Sequence, residues 1–534
     1  MAKKTIGFVG PDARTCMCAY TVSAVEGDKY NGAIIKGMTG MGPVMDAVRG
    51  KKEWILKIFP VSGHSVTDYK NAVIKAFENG EIDYVVIMPE DPLFEGLVNE
   101  LIEAGYGERV MGLTKESAFI EGDKIKAKVW MKRAGVPVAP FKAVNAKDLQ
   151  QVKRVVIQFI RNHGGAVLKY PYSAGGKGSR PVFRVEDILA VWNKLLKDYG
   201  KNYQERHGNN KWPLLIEAWK SEIEISFTAL LDAKGNFRVL PTAMDYPLRF
   251  EGPPSQFNPV TGGMAAIGMH PAETPELIKM VRTKVIRPFV VELKKKGILR
   301  PCILYPGCRV SLDPLTGKPV GILVYEMNIR AGEPEMQVVA RRLKNLGELI
   351  VATFEGRLDE VEPDVRADQI SICMALVVGP GGPQGQKGYP DSYTKYETAA
   401  VDFKRLTKRG ILIVPSNVSW DEEKQRLMSD GSRVFYLSKN ATVQPGQKRG
   451  EVAKTLRHKL LQAFDDGLVS VIPREAEEAF EAAKILFKQG NIPKEKYEKA
   501  KAHFEKANRL DIRRDPGRIY EEWDELYPDW RLAG

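Results

Sequence analysis

The first 120 residues alternate apolar runs with segments whose apolar residues recur at helical spacing. TIGFVG, NGAIIKGMTG and IDYVVIMPEDP each contain an apolar run that predicts a strand, and GLVNELIEAG then predicts a helix. Strands of this kind, separated by helices, indicate a parallel sheet that is covered on both faces. Because ligands of such sheets bind at the carboxyl ends of the strands, we expect residues 10–14 and 89–91 to form one rim.

The pattern changes after residue 120 and indicates four further units. A small α+β unit combines the helix KIKAKVWMKRAG, the strand AVLKY, a glycine-rich loop and the return strand RPVFRV. Two strand-rich units follow, and the chain ends in the amphipathic helical stretches REAEEAFEAAKILFKQG and KEKYEKAKAHFEKANRL. The predicted units are an N-terminal α/β domain (1–120), an α+β unit (121–213), a larger strand-rich unit (214–365), a C-terminal domain (366–473) and a helical extension (474–534).

The composition is that of a globular, water-soluble chain. No apolar run reaches the length of about 18 residues that a membrane span needs, so we expect no membrane association. The N-terminus MAKKTIGFVG reaches Pro11 and Asp12 after only a few apolar residues, which indicates a first strand and not a signal peptide. The cysteines form an odd, sparse set without metal-binding spacing, so we expect a reducing, cytoplasmic location.

The net charge of +13 allows two interpretations. A basic surface aids solubility, or it attracts anions such as phosphorylated small molecules and nucleic acid. The chain has no recognisable nucleic-acid module and no alternation of aromatic and basic residues of the kind that stacks bases. We therefore expect phosphorylated metabolites as ligands and no nucleic acid.

KYPYSAGGKGSRPV, at residues 169–182, is the first stretch that suggests chemistry. A glycine-rich loop between two antiparallel strands can lay its backbone N–H groups against phosphates, and Lys169 and Lys177 would supply charge. The stretch is not a Walker A motif, because no GxxxxGK[ST] sequence opens a helix. Considered alone, it fits a charged hairpin turn equally well.

YEMNIRAGEPEMQ, at residues 325–337, ends a predicted strand and enters a predicted helix. Residues two apart on a strand face the same way, so Glu326 and Asn328 should point to one side together. Two neighbouring oxygen ligands suit Mg²⁺, which binds carboxylates, waters and substrate phosphates. The alternative is a polar strand edge, but a buried carboxylate without a partner is costly, which favours the metal.

Two further stretches contain candidate binding residues. In LLIEAWKSEIEISF, a backbone hinge from Glu217 to Trp219 would suit adenine, and Glu224 would suit the ribose hydroxyls. The alternative is a strand with a charged, exposed face. NPVTGGMAA contains a glycine pair that predicts a loop near a substrate, although by itself it is uninformative.

These stretches, in this order, resemble the ATP-grasp superfamily, and within it the phosphoribosylamine–glycine ligase family. MPEDPLFEG resembles the family's PE-x-PL-x-x-G, LKYPYSAGGKGSRPV resembles IKADGLAAGKGV, and EMNIRAGEPEMQVVARRL resembles EFN-x-RFGDPE-x-Q…RL. GLTKESAFIEGDKIKAKVWMKRAGVPVAPF, MDYPLRFEGPPSQFNPVTGGMAA and the C-terminal SDGSRVFYL also resemble family segments. The likeness runs from about residue 5 to residue 473, which is most of the chain.

The resemblance implies an ATP-grasp fold with an N-terminal parallel-sheet substrate domain, a lid, a main ATP-binding subdomain and a strand-rich C-terminal domain. It also implies an ADP-forming carboxylate–amine ligase of purine biosynthesis. Such a ligase joins glycine to 5-phosphoribosylamine through an acyl phosphate and yields glycinamide ribonucleotide. The implied cofactors are ATP and Mg²⁺ or Mn²⁺, and the implied partners are small-molecule substrates. A homo-oligomer is a separate expectation, which the C-terminal extension suggests.

The resemblance implies a role for each matching residue. The implied ATP-binding residues are Lys124, Lys169, Gly175, Gly176, Lys177, Gly178, Glu217, Trp219 and Glu224, the metal ligands are Glu326 and Asn328, and the catalytic residues are Arg330 and Lys177. The implied substrate residues are Gly10, Arg14, Pro89, Glu90, Asp245, Gly262, Gly263, Met264, Gly332 and Glu335.

The substrate half departs from the family pattern more than the ATP half does. The family's G-x-GGREHA loop is here GPDARTCMC, so Asp12 stands where a glycine is expected. PGNAG has become KGMTG, GPNTGG has become NPVTGG with Val260, and GDPE has become GEPE. The arginine of the family's HKR is displaced to Arg249.

These departures leave two alternatives to the glycine ligase. One is a related ATP-grasp ligase with a different amino acid or amine acceptor, in a specialised or nucleotide-modification pathway. The other is a nucleotide-binding scaffold without catalysis, against which the intact Lys169, Lys177, Glu326 and Asn328 argue. The helical extension from residue 474 lies outside the family pattern and is either a solvated appendage or an oligomer contact.

Overall fold

The computed structural model describes residues 3–54, 56–59, 61, 63, 65–172, 178–255 and 257–527. Its first domain is the predicted parallel sheet, with strands in the order β3-β2-β1-β4-β5 and helices between them. The strands are β1 (Lys4–Val9), β2 (Tyr30–Ile35), β3 (Leu56–Phe59), β4 (Tyr84–Ile87) and β5 (Val110–Met111). The helices are α1 (Ala13–Val25), α2 (Met41–Arg49), α3 (Val66–Glu78), α4 (Glu90–Glu95) and α5 (Leu97–Glu103).

The second unit is a small antiparallel sheet with helices packed on it, as the sequence predicts. Its helices are α6 (Phe119–Gly122), α7 (Lys124–Arg133), α8 (Leu149–His163) and α9 (Ile188–His207). Its strands are β6 (Phe141–Asn145), β7 (Ala166–Lys169), β8 (Ser179–Val182) and β9 (Pro213–Ala218), in the order β6-β9-β7-β8. The strands β7 and β8 form the predicted hairpin, in which Lys169 lies opposite Ser179.

The third unit is built around two long antiparallel strands, β15 and β16, whose pairing brings Tyr305 opposite Asn328. The strands are β10 (Ile223–Ser226), β11 (Ala229–Leu231), β12 (Phe237–Val239), β13 (Met244–Asp245), β14 (Ala265–Gly268), β15 (Cys302–Leu312) and β16 (Pro319–Asn328). The helices are α10 (Pro275–Val281), α11 (Arg287–Lys295), α12 (Glu335–Arg342) and α13 (Leu346–Glu355).

The C-terminal part is strand-rich, and its main sheet crosses the boundary predicted at residue 365. That sheet has the order β13-β14-β17-β22-β19, so two strands of the third unit belong to it. The strands are β17 (Gln369–Val378), β18 (Thr398–Val401), β19 (Leu412–Pro415), β20 (Val418–Asp421), β21 (Arg426–Ser429), β22 (Arg433–Thr442), β23 (Val469–Ile472) and β24 (Leu510–Ile512). The helices are α14 (Phe403–Lys408), α15 (Arg449–Asp465), α16 (Arg474–Lys488), α17 (Lys494–Lys506) and α18 (Arg518–Leu526).

The C-terminal extension is only partly the helical segment that the sequence predicts. The helices α16 and α17 form a hairpin held by aromatic stacking, with the ring centroids of Phe480 and Phe504 4.7 Å apart. The chain then returns to the body of the protein, where β24 pairs with β17 and α18 packs on α15. Hydrophobic periodicity alone does not reveal this return, because β24 is only three residues long.

All five cysteine side chains are described, and each is a buried thiol. Within the described ranges, no helix combines the length and the apolar character that crossing a membrane requires.

Candidate active site

Glu326 and Asn328 lie side by side at the end of β16, as the strand period predicts. Asn328 Nδ2 donates hydrogen bonds to Glu326 Oε1 at 3.3 Å and to the carbonyl oxygen of Tyr305 at 3.1 Å. Both bonds use the nitrogen of the amide, so neither of them occupies its oxygen. The pair therefore offers two oxygen ligands that suit a divalent cation. In the described part of the chain, no group of three or more His, Cys, Asp or Glu could hold a metal.

A buried ion-pair cluster lies next to this pair and joins three elements. Glu217 of β9 accepts bonds from the ammonium groups of Lys128 on α7 and Lys169 on β7. Burial alone would raise the pKa of Glu217, but the two ammonium groups hold it below its ordinary value. Burial lowers the pKa of Lys128 to about 8, although Glu217 opposes that shift. The two ammonium groups outweigh the one carboxylate, so the cluster carries net positive charge beside Glu326.

Lys124, at the start of α7, extends this positive region toward the expected metal ligands. Burial lowers its pKa, and the carboxylate of Glu326 is the strongest charge that opposes the shift. Its backbone N–H donates to the carbonyl oxygen of Pro171, which ties α7 to the turn that follows β7. The structure thus brings Lys124, Lys169 and Glu326 together, as the resemblance implies.

The expected phosphate loop is only partly described. Gly175, Gly176 and Lys177 lie outside the described residues, so their roles stay predictions. Gly178 lies at the base of the hairpin, where its carbonyl oxygen accepts a 2.9 Å bond from the N–H of Tyr170.

The residues expected around adenine and ribose have strong partners within the protein. The side chain of Glu217 faces the two lysines, and the backbone N–H of Trp219 donates to the carbonyl oxygen of Gly165 at 3.0 Å. Glu224 pairs with Arg309 at 2.8 Å and accepts a bond from the hydroxyl of Tyr325. A ribose would therefore share Glu224 with these two side chains, and the nucleotide contacts stay predictions.

Arg330 lies between two carboxylates from different elements. Its Nε atom is 3.1 Å from Glu90 of α4 and 3.1 Å from Glu121 of α6. Burial works to raise the pKa of Glu90, but Arg330 and Arg14 outweigh it and lower that pKa to about 2. Glu90 is therefore ionised at neutral pH and orients both arginines.

The predicted rim at the carboxyl ends of β1 and β4 is present. A Cβ atom on Gly10 would lie 2.7 Å from Thr15 Oγ1 and 3.0 Å from Pro89 Cδ, and Gly10 has a φ of +145°. Only glycine fits this close approach. The Arg14 side chain is buried, and its Nε atom donates to Asp12 Oδ2 at 2.8 Å. Asp12 therefore neutralises the arginine that the family pattern places at this rim.

The loop at residues 261–264 meets the GEPE turn on the other side of the site. Gly263 has a φ of +98°, and a Cβ atom there would lie 2.4 Å from Pro334 Cδ and 3.0 Å from Asp245 Oδ1. A Cβ atom on Gly332 would lie 2.8 Å from Glu335 Oε2. The predicted substrate residues that converge here are Asp245, Gly262, Gly263, Gly332 and Glu335. The Met264 side chain does not line the site, because it lies in the hydrophobic core.

Several residues of this site were not predicted. Lys128 lies one helical turn after Lys124, and this spacing could have identified it. Arg433 of β22, which lies in the SDGSRVFYL stretch, donates to the carbonyl oxygen of Gly262. Glu121 lies in the IEGDK part of a stretch that resembles a family segment, and that likeness could have identified it. Tyr305 has no signal in the sequence pattern. The guanidinium of Arg249 pairs with Asp511 at 2.5 Å and donates to the carbonyl oxygen of Tyr389 at 2.9 Å.

Comparisons with known proteins agree with this geometry. Residues 122–336 match the family of the phosphoribosylglycinamide synthetase ATP-grasp (A) domain. The phosphoribosylamine–glycine ligase of Caldanaerobacter subterraneus subsp. tengcongensis is 30% identical over 358 residues, which cover 66% of this chain and 76% of the relative. The Archaeoglobus fulgidus ligase is 28% identical over 384 residues, which cover 65% of this chain and 77% of the relative.

The solved structures support the same fold. The crystal structure of phosphoribosylamine–glycine ligase from Thermotoga maritima superposes with a TM-score of 0.61 at 20% identity. The superposition covers 85% of this chain and 96% of that chain. The likeness confirms the predicted ATP-grasp fold, with its N-terminal parallel sheet and its strand-rich C-terminal part.

Proposed function

The chain belongs to the phosphoribosylamine–glycine ligase family of ATP-grasp enzymes, and on that premise we propose that it joins glycine to 5-phosphoribosylamine. The reaction consumes ATP and releases ADP and phosphate, and its product is glycinamide ribonucleotide of purine biosynthesis. One observation supports this proposal most strongly. The half-buried Lys124 and the buried Lys128 and Lys169 converge on the same region as Glu326 and Asn328.

Charge explains why this arrangement suits phosphoryl transfer. Phosphoryl transfer depends on positioning and charge neutralisation more than on covalent chemistry by the protein. Lys124 and Lys169 would face the phosphates of ATP, and Glu326 and Asn328 would hold Mg²⁺. The cation, when bound, neutralises charge that develops on the transferred phosphoryl group.

The reaction has two steps. A carboxylate oxygen of glycine attacks the γ-phosphorus of ATP, the bond to ADP breaks, and an acyl phosphate forms. The amine nitrogen then attacks the carbonyl carbon, and the bond between that carbon and the phosphate oxygen breaks. Arg330 would face the acyl phosphate, because Glu90 and Glu121 fix its guanidinium at the border of the N-terminal rim.

The cellular setting is a further part of the proposal. We place the enzyme in the cytoplasm, and the five buried thiols support a reducing compartment. Small-molecule substrates are its partners, and a homo-oligomer stays a prediction.

The proposal is tested by mixing the purified protein with ATP, Mg²⁺, glycine and freshly generated 5-phosphoribosylamine. We expect ADP release that depends on both substrates and a product with the mass of glycinamide ribonucleotide. ADP release with another amino acid or amine, but not with these two, would overturn the assignment of the substrates. ATP binding without any turnover would instead indicate a nucleotide-binding scaffold.

A pair of lysine variants makes the test specific to the site. Lys169→Ala removes a buried ammonium group at Glu217, whereas Lys126→Ala removes a largely exposed one from α7. We expect the first variant to lower kcat by about 100-fold, the scale of losing one electrostatic contact to a transferring group. The second variant should retain native activity, and equal losses in both variants would contradict the assigned role of Lys169.

A further inference from the structure

One carboxylate oxygen in the site is buried without a partner. Asp245 ends β13 and lies opposite Ala266 of β14. No described residue donates a hydrogen bond to its Oδ1 atom, although that atom is inaccessible to solvent. A buried oxygen without a donor is costly, so such an atom in a native site calls for an explanation.

The position of Asp245 points to the substrate side of the site. A Cβ atom on Gly263 would lie 3.0 Å from Asp245 Oδ1, so the oxygen faces the glycine loop that meets the GEPE turn. The hydroxyl of Tyr305 bonds to Glu335, and the carbonyl oxygen of Tyr305 accepts from the amide of Asn328. Tyr305 therefore connects the neighbourhood of Asp245 to the expected metal ligands.

The other carboxylates of this region already have donors. Glu335 Oε1 accepts from the hydroxyl of Tyr305, and Glu333 accepts from the backbone N–H of Arg14 and from Gln337. Glu224 is held by Arg309 and Tyr325. Asp245 Oδ1 thus differs from its neighbours in being ready to accept a new hydrogen bond.

The charges around Asp245 favour uptake of a proton. Burial raises its pKa well above the ordinary value, and the carboxylates of Glu335 and Glu224 raise it further. The guanidinium of Arg433 opposes this shift. A raised pKa makes a carboxylate bind a proton more readily, which suits a group that accepts a proton during catalysis.

We propose that Asp245 is the general base of the amide-forming step. This inference rests on the proposed function, because it needs an amine that attacks an acyl phosphate. The nitrogen forms a bond to the carbonyl carbon, the bond from that carbon to the phosphate oxygen breaks, and phosphate leaves with the electron pair. The proton lost by the nitrogen passes to Asp245 Oδ1 and then to solvent, so the enzyme is regenerated.

The variant Asp245→Asn tests the proposal, because it keeps the shape of the side chain and removes its basicity. Two assays are run, one with glycine and hydroxylamine, a small neutral nucleophile that traps the acyl phosphate, and one with glycine and 5-phosphoribosylamine. We expect near-native ADP release in the first assay. In the second, we expect kcat to fall by about 100-fold or more, the scale of losing general-base catalysis.

The controls separate this inference from the proposed function. Asp313→Asn, in the exposed turn between β15 and β16, should behave like the native enzyme in both assays. Native-like product formation by Asp245→Asn would overturn the role of Asp245, and so would equal losses in both assays. If the native enzyme itself gives no glycine-dependent ADP release with hydroxylamine, the proposed function fails instead.

A second variant covers the case in which Asp245→Asn does not fold. Asp245→Glu keeps a base but moves its oxygen, so we expect a lower kcat with 5-phosphoribosylamine. Its rate should still fall as the pH is lowered, because the base still takes up a proton. In Asp245→Asn this fall of the rate in acid should be absent. A pH–rate profile identical to the native one in Asp245→Asn, or an activity identical to the native one in Asp245→Glu, would overturn the proposal.

Discussion

The backbone N–H of Arg14 donates a 2.7 Å hydrogen bond to Glu333 Oε2, a contact between two residues 319 positions apart. Arg14 lies in the first turn of α1, and the N–H groups of a helix N-terminus favour anions. Asp12 caps the same turn by accepting from the N–H of Thr15 at 3.0 Å. The carboxylates of Glu333 and Asp12 therefore already accept from backbone N–H groups that could otherwise bind the phosphate of a substrate.

Shortening one of these carboxylates should improve the binding of a phosphorylated amine. In Glu333→Asp the carboxylate retreats from the N–H of Arg14, and we expect the KM for 5-phosphoribosylamine to fall by about tenfold. That change corresponds to about 1.4 kcal/mol, the scale of one hydrogen bond to a charged group. Steady-state kinetics at saturating ATP and glycine measure it, with the exposed Glu360→Asp as a control. An unchanged KM would show that the phosphate does not use this helix.

Removing one oxygen ligand should alter the dependence on metal. We expect Glu326→Gln to raise the Mg²⁺ concentration for half-maximal activity by at least about tenfold, because an amide is a weaker ligand than a carboxylate. Titration of ADP release with Mg²⁺ measures the change, and Glu362→Gln at the surface is the matched control. A native titration curve for Glu326→Gln would remove this residue from the metal site.

The sequence predicts the parts of this site that depend on local periodicity. The period of a strand places Glu326 and Asn328 on one face, and the structure confirms it. The contacts of Glu217 with Lys128 and Lys169 were not predictable, because they join three elements that are distant in sequence. Tertiary packing decides such contacts, and no pattern along the chain records it.

The same limit explains two other differences between prediction and structure. The resemblance implies that Met264 lines a pocket, but packing against neighbouring strands buries its side chain in the core. The amphipathic pattern of α16 and α17 correctly predicts a helical pair. It does not predict the return of the chain through β24, since three residues are too few for a period.

The two parts of the C-terminal extension should differ in their contribution to stability. Replacing residues 481–503 by a short glycine–serine linker should leave activity intact, because no residue of that segment is buried. Removing residues 508–534 deletes Asp511, so the buried Arg249 loses its ion-pair partner. We expect this truncation to destabilise the protein by about 3 kcal/mol or more, the cost of leaving a buried charge unpaired. Denaturant unfolding compares the two variants, and equal stability would contradict the role of β24.

A buried histidine should make stability fall in acid. Burial lowers the pKa of His270 from 6.5 to about 3, and its Nδ1 atom accepts a 3.0 Å bond from the N–H of Ala272. The unfolded chain therefore binds a proton that the folded protein excludes. As pH falls from 6.5 to about 3, the free energy of unfolding should drop by up to about 1.4 kcal/mol per pH unit.

The variant His270→Asn isolates this contribution, because its amide oxygen can replace Nδ1 as the acceptor. Its free energy of unfolding should depend on pH with a slope that is smaller by about one proton between pH 6.5 and 4. Unfolding by urea at several pH values measures the slope. Identical slopes for the native protein and the variant would assign the acid sensitivity to other groups.

The fate of the carboxylate oxygens of glycine tests the central claim most directly. Glycine labelled with heavy oxygen in its carboxylate is supplied with ATP, Mg²⁺ and 5-phosphoribosylamine, and the released inorganic phosphate is analysed by mass spectrometry. A ligase that works through an acyl phosphate transfers one labelled oxygen to phosphate in each turnover, and we predict that result. Unlabelled phosphate, or ADP release that does not require glycine, would contradict the account.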